Sequence, residues 1–411
     1  MEAEVNVSEY ELERGKPMPS KKPAFIQKRL LLALENKYGG QFEVLPELKC
    51  LFASLLAIVF SLSLQAQETE TVILNQTETH RLQELIATNQ FVSQLYDSIS
   101  HLAIEYLDDD PRPLKELFYE GMLDTNPQRI DTEQSLKDLD KINTLIYACY
   151  GTSGHAFALK AKEYVLAWAA HYLPTGNTIN ENKFVPLFWA YYLFQDHFSE
   201  TESERVKTWM EAIAHKQMSR KRTPNNNWEA KRLKIIGTIG CILKHDSLKN
   251  YSINGFKTYI QTAYYADGTS NDLKKRDALQ YHNSGLKPTL STFINCSTFD
   301  AAFELFDYVS PSGSSIRKSV AYSLPYATGE KTREEWRNTQ VELDKRRAAA
   351  GIAKYQPGKL FDPKDALPLF AWAGYFEPDW YDVWGQEALI DNYTASWIGM
   401  LNSPLIREHI K

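Results

Sequence analysis

The chain has 411 residues, of which 43% are hydrophobic and 24% charged, so it can bury a large core and global disorder is excluded. A formal net charge of -6 removes the overall basic field that phosphate binding uses, which argues against a nucleic-acid partner while leaving room for a local basic cleft. Four cysteines, Cys50, Cys149, Cys241 and Cys296, are too sparse for a disulfide scaffold and lack paired metal-ligand spacing, so they read as buried free thiols.

The first compositional break is LFASLLAIVFSLSLQA at 51–66. It is short of the roughly 20 apolar residues that span a bilayer, and it has no polar face. It fits the apolar region of an export signal, with Leu64-Gln65-Ala66 ahead of Gln67 as an imperfect small-residue cleavage site. The expectation is a periplasmic or secreted protein with no stable membrane insertion once the signal is removed. Residues 1–49, with a predicted helix over 23–38, form an anomalous extension; 50–67 is the signal-like segment; 68–411 is the folded domain.

From residue 68 onward the apolar spacing is helical. It predicts helices over 77–107, 151–171, 184–194, 200–215, 227–244, 250–264, 274–284, 293–309 and 365–375. The first turn of the 200–215 helix is acidic, as the helix dipole favours. Between 310 and 351, Gly and Pro punctuate polar sequence that reads as loops over the helical body. The fold class is all-α, an (α/α) toroid or incomplete toroid with loop-rich segments over a cleft; an irregular helical array has the same pattern.

Four segments carry a resemblance. LKAKEYVLAWAAHYLPTGNTINENKFVPLFWAYYL (159–193), the Asn225-Asn226-Asn227-Trp228 motif, DGTSNDLKKRDALQYHNSGLKPTL (267–290) and PSGSSIRKSVAYSLPYATGEKTREEW (311–336) together resemble the alginate-lyase-like superfamily of polysaccharide lyases. The last segment is similar to the loop region of glucuronan and alginate lyases. The resemblance implies a toroid with a groove for an anionic polysaccharide, and β-elimination of a uronic-acid polymer such as glucuronan, alginate or polymannuronate by domain 68–411. Two departures stand out: Asn227 occupies the position where several relatives have His, and the basic residues before Tyr281 are spaced differently.

β-Elimination removes the proton at C5 and expels the oxygen at C4. The C5 carboxylate opposes deprotonation until donors neutralise it. Asn226 and Asn227 offer amide donors, and Arg276 offers a fork suited to carboxylate. Tyr281 is the favoured proton-transfer residue, and His282 the alternative base or a substrate contact. Each has a plainer reading as well: Asn225–Asn227 as a helix cap, Arg276 as an ion pair with Asp272 or Asp277, Tyr281 as a core phenol, His282 as support. Trp228, Asn225, His155, Arg222, Tyr326, Lys331 and Arg317 are the candidate sugar contacts. No cofactor is expected, since no HExxH or comparable metal set occurs, and scattered residues leave a structural cation open. A glycoside hydrolase would need two facing carboxyls, for which Asp267, Asp272, Asp277 and Glu330 are available. A non-catalytic carbohydrate-binding protein is the remaining alternative.

Overall fold

Side-chain caps start most of the helices. Asn75 and Glu78 form a reciprocal capping box on α1 (Gln76–Thr88), and Asn89 then ends α1 and caps α2 (Gln90–Tyr106). The single helix expected over 77–107 is therefore two, because the Asn89 side chain accepts from the N–H groups of Phe91 and Val92. Next comes α3 (Pro127–Gly151), which apolar spacing does not reveal. Its buried face includes Thr132, Ser135, Asp138 and Asn143, and these polar residues break the hydrophobic period.

The computed structural model describes residues 70–123, 125–152, 154–220, 225–385 and 393–407. The extension at 1–49, the signal-like segment, Cys50 and Arg222 lie outside the described residues. After α3 follow α4 (His155–His171), α5 (Thr178–Glu181), α6 (Val185–Leu193), α7 (Glu200–Met218), α8 (Asn227–Ile242) and α9 (Asp246–Ala263). The helices expected over 274–284 and 293–309 are divided differently. The short α10 (Asn271–Arg276) stops at Asp277, and α11 (Leu279–Ser297) runs unbroken through Pro288. The region expected as loops contains α12 (Ile316–Ala327), α13 (Glu342–Ala349) and a small antiparallel pair, β1 (Glu334–Glu335) with β2 (Lys359–Leu360). Ser315 caps α12, so a serine-rich stretch that resembles a loop starts a helix. The chain ends with α14 (Leu367–Ala373), α15 (Pro378–Gly385) and α16 (Tyr393–Leu401).

Packing follows two layers. Helices α3, α6, α8, α11 and α14 each pack on the next, while α2, α4, α7 and α9 pack on members of that row. The row returns on itself: α16 packs on α14, and its Trp397 lies 6.4 Å from the ring of Tyr96 in α2 and 6.0 Å from that of Tyr147 in α3. This is the expected (α/α) toroid. In α8 every residue except Trp228 is buried, as an inner helix requires.

The extended segment 70–75 threads between inner helices. Glu70 forms a buried ion pair with Lys234 of α8 at 2.6 Å and accepts from Ser291 of α11 at 3.0 Å. Asn143, Tyr147 and Asn295 hydrogen-bond the backbone of 70–73, which satisfies polar groups that burial would otherwise penalise. Cys149, Cys241 and Cys296 are free thiols. Cys241 of α8 and Cys296 of α11 are neighbours, and burial pushes the Cys296 thiol up.

Candidate active site

Three local devices bring candidate residues together. The first is the start of α8. Asn226 is its N-cap, accepting from the Trp228 N–H at 3.1 Å, and the buried Asn227 donates its backbone N–H to Asp272 of α10 at 2.8 Å. The cap therefore uses the Asn226 oxygen and leaves its amide NH2 without a hydrogen bond among the described residues. The Asn227 amide is likewise unengaged.

The second device is Gly285. A Cβ at this position would stand 2.8 Å from the Tyr259 hydroxyl, 3.1 Å from that of Tyr264 and 3.7 Å from the Asn227 Cα. Only glycine admits so close an approach of α11 to the hydroxyls of Tyr259 in α9 and Tyr264 just after it, while the backbone of Asn227 in α8 lies at ordinary contact distance. Tyr281 lies one turn before Gly285 on the same helix face, and Gly285 in turn lies against the Asn227 backbone.

The third device is Asp277, which ends α10 in the left-handed region at φ 51° and ψ 43°. A continuous helix would set Arg276 and Tyr281 on diverging faces. The turn instead lays the Arg276 guanidinium over the Tyr281 ring, with Cζ 3.4 Å from the centroid. Arg276 also donates from Nε and Nη2 to Asp344 at 2.9 and 2.5 Å, a bidentate pair in which Asp344 is 1% exposed.

Asp277 anchors the segment that follows β1 as well. Its carbonyl accepts the Trp336 N–H at 2.8 Å, and its carboxylate takes Arg333 at 2.6 Å and the Asn338 N–H at 3.0 Å. Thus docked, the segment sets Trp336 edge-on to Tyr281 at 5.8 Å and brings Arg347 Nη1 to within 3.2 Å of the Tyr281 hydroxyl. Tyr355 places its hydroxyl 3.5 Å from the same oxygen. Glu335 accepts the Leu279 N–H and thereby caps α11, the helix that carries Tyr281; burial pushes its carboxyl up to about 7.

His282, the next residue, points elsewhere. It is 1% exposed, and both ring nitrogens are engaged: Nε2 with the Ser319 carbonyl and Nδ1 with the Ser270 hydroxyl, each at 2.9 Å. A carbonyl only accepts, so Nε2 carries the proton and Nδ1 accepts from Ser270. Burial lowers its pKa to about 4. Asp272 is also enclosed: desolvation pushes it up to about 6, against the Asn227 N–H, Arg276 and Lys231, which pull it down.

The sequence matches the family model for alginate lyase over residues 100–333, more than half of the chain. The chain belongs to the alginate lyase family. No curated protein sequence matches it significantly. Similar solved structures include alginate lyase A1-III from Sphingomonas species A1, at 16% identity and a TM-score of 0.45, covering 70% of this chain and 92% of that one. A tetrasaccharide complex of alginate lyase A1-III is 17% identical, with a TM-score of 0.44 over 70% of this chain and 91% of that one. This alginate lyase family member is a polysaccharide lyase, whose reaction is β-elimination and whose partner is an anionic polysaccharide. The hydrolase alternative is set aside accordingly, and in the structure the Asp277 carboxylate is occupied while Asp267 is bound to Thr269.

The other candidate sugar contacts of this lyase are dispersed. Trp228 stands beside the cap, with the Arg220 guanidinium 5.3 Å from its ring, and both line an open cavity of about 520 Å³ with Lys216 and Asn177. Asn225 is exposed and accepts from Asn271. Tyr326 packs 5.9 Å from Tyr322, which in turn lies 5.7 Å from His282. Lys331 is exposed, and Arg317 pairs with Asp307 and Glu377. His155 contacts His197 edge-on at 4.9 Å and no member of the Tyr281 group. Sequence reasoning missed Trp336, Asp344, Arg347 and Tyr355. A faint signal exists, Asp344 and Arg347 one helical turn apart, but nothing local links them to Tyr281. Among the described residues no group of three or more His, Cys, Asp or Glu side chains is placed to hold a metal ion, and no described helix is long and apolar enough to cross a membrane.

Proposed function

We propose that this lyase cleaves a 1,4-linked polymer of D-mannuronate or D-glucuronate, with Tyr281 moving the proton and the Asn226 and Asn227 amides donating to the C5 carboxylate. The observation that carries this reading is the contrast between two neighbours. Tyr281 is half-buried under Arg276, with its hydroxyl met by Arg347, while His282 is sealed away with neither nitrogen available. A single tyrosine must then take the proton from C5 and return it to the departing O4. One residue can do both only if the two atoms leave from the same side of the ring. That holds for D-mannuronate and D-glucuronate, whereas in L-guluronate, the C5 epimer, they lie on opposite sides.

Arg276 supports this role by covering the Tyr281 ring rather than by reaching the sugar, because Asp344 occupies two of its donor nitrogens. Trp228 and Arg220 beside the cap have the chemistry of a flanking subsite, an aromatic face with a cation next to it. The test is a screen of polymannuronate, glucuronan and polyguluronate, read by the ultraviolet absorbance of the conjugated unsaturated uronate. We expect that chromophore from one or both D-configured polymers and much less from polyguluronate. New reducing ends without the chromophore would defeat elimination, and equal rates on polyguluronate would defeat the single-tyrosine mechanism.

A further inference from the structure

We propose that Arg347 is a catalytic residue of this lyase, the guanidinium that receives the C5 carboxylate of the sugar being cleaved. The inference rests on the elimination reading above and adds a residue outside the span matched by the family model, 100–333.

The case starts from a shortage. Elimination needs a strong donor at the carboxylate, where negative charge collects as the C5 proton leaves. Arg276 has the right chemistry in sequence, but its Nε and Nη2 are engaged by Asp344, and its flat face lies against the Tyr281 ring. Arg347 is the reverse. Its side chain is only 14% exposed, yet it makes one hydrogen bond among the described residues, from Nη1 to the Tyr281 hydroxyl at 3.2 Å. Asp344 lies 3.9 Å from the same nitrogen, a distance that leaves it weakly bound, and the Tyr355 ring covers one face of the guanidinium at 4.8 Å. Most of the N–H donors of a half-buried arginine are thus left for a ligand beside the proton-transfer oxygen, and none of them is a buried atom without a partner, so they are open to the solvent from which a substrate arrives.

The position is also imposed. Asp344 and Arg347 are one turn apart on α13, so the bond from Arg276 to Asp344 fixes the register that points Arg347 at Tyr281. In the reaction Tyr281, as phenolate, takes the C5 proton. The electron pair moves into the carboxylate held by Arg347 and then forms the C4–C5 double bond as the C4–O4 bond breaks. The proton on Tyr281 passes to O4, which leaves both the phenolate and the charge balance restored.

The experiment compares wild type with Arg347→Ala, Arg347→Lys and the exposed neighbour Arg346→Ala, each checked for folding by circular dichroism. Turnover is read from the unsaturated product on the polymer that wild type cleaves best. We expect Arg347→Ala to lose on the order of a hundredfold, Arg347→Lys to recover part of that loss, Arg346→Ala to stay near wild type, and added guanidinium to raise the Arg347→Ala rate. A readout that a structural role would not move is the preference for free-acid over methyl-esterified polymer, which should fall in Arg347→Lys. That ratio also decides the matter if Arg347→Ala fails to fold. An unchanged preference in Arg347→Lys, or a folded Arg347→Ala with near wild-type turnover, overturns the assignment while leaving elimination intact. No chromophore from wild type on any uronate polymer overturns both.

Discussion

Tyr281 and His282 are adjacent in sequence and opposite in circumstance, and the difference makes each separately testable. Tyr281→Phe keeps the ring under Arg276 and removes the hydroxyl, so the fold should persist while turnover falls roughly a hundredfold to ten-thousandfold, measured as unsaturated product per folded enzyme. Near-normal turnover would remove Tyr281 from the reaction. His282 should act on stability instead. Its folded pKa is lowered to about 4 by burial, whereas an unfolded imidazole takes up its proton near 6.5. Between those values the unfolded chain binds more protons, so the stability contributed by neutral His282 is present above about pH 6.5 and is lost as pH falls towards 4, by up to about 3 kcal/mol. Asp272 and Glu335, raised to about 6 and about 7, act in the opposite sense over their own ranges. Comparing urea denaturation of wild type and His282→Gln cancels them to first order. The stability advantage of wild type should shrink from neutral pH to about pH 4.5, and a constant gap would mean that His282 is not held neutral.

At the level of elements, the unit that matters is the docked segment from β1 through α13 to Tyr355. It is fastened at Asp277 and by the Arg276–Asp344 pair, in which the side chains are 11% and 1% exposed. Removing one partner of so enclosed a pair leaves the other charge uncompensated, a loss of about 3–5 kcal/mol. Asp344→Ala should therefore lower unfolding stability by that order, open 334–355 to limited proteolysis and reduce turnover as Arg347 leaves Tyr281. Full activity with the segment proteolysed would show that the segment does not complete the site. The sequence pattern reads 310–351 as loops, and that reading fails for a physical reason. α13 is short and highly charged and buries only Asp344, so its stability comes from docking, while α12 buries a face of Ile316, Ser319, Val320, Ser323 and Ala327 whose serines obscure its helical period.

For the whole molecule, helix spacing decides both stability and function. Gly285 and Gly240 are both close-approach positions: an added Cβ would meet the Tyr259 hydroxyl at 2.8 Å in one case and the Lys249 backbone nitrogen at 2.8 Å in the other. Alanine at either should cost about 1–3 kcal/mol in unfolding experiments. Only Gly285→Ala should also cut turnover, because it pushes the turn of α11 that follows Tyr281 away from the Tyr259 and Tyr264 hydroxyls; equal kinetic effects at the two sites would show that the seating of α11 on those tyrosines is not what sets the site. The sequence by itself determined the helical class, offered Asn225–Asn227 as a helix cap, and nominated Asn226, Asn227, Arg276 and Tyr281 for the chemistry, because these depend on local period, capping and motif. It did not reveal α3, whose inward face is partly polar, or the unbroken run of α11 through Pro288. Only the tertiary structure decided that Arg276 belongs to Asp344, that His282 is sealed and that Arg347 meets Tyr281. Those outcomes rest on which charges find partners across long stretches of chain and how much water each loses, and neither quantity is encoded in the spacing of neighbouring residues.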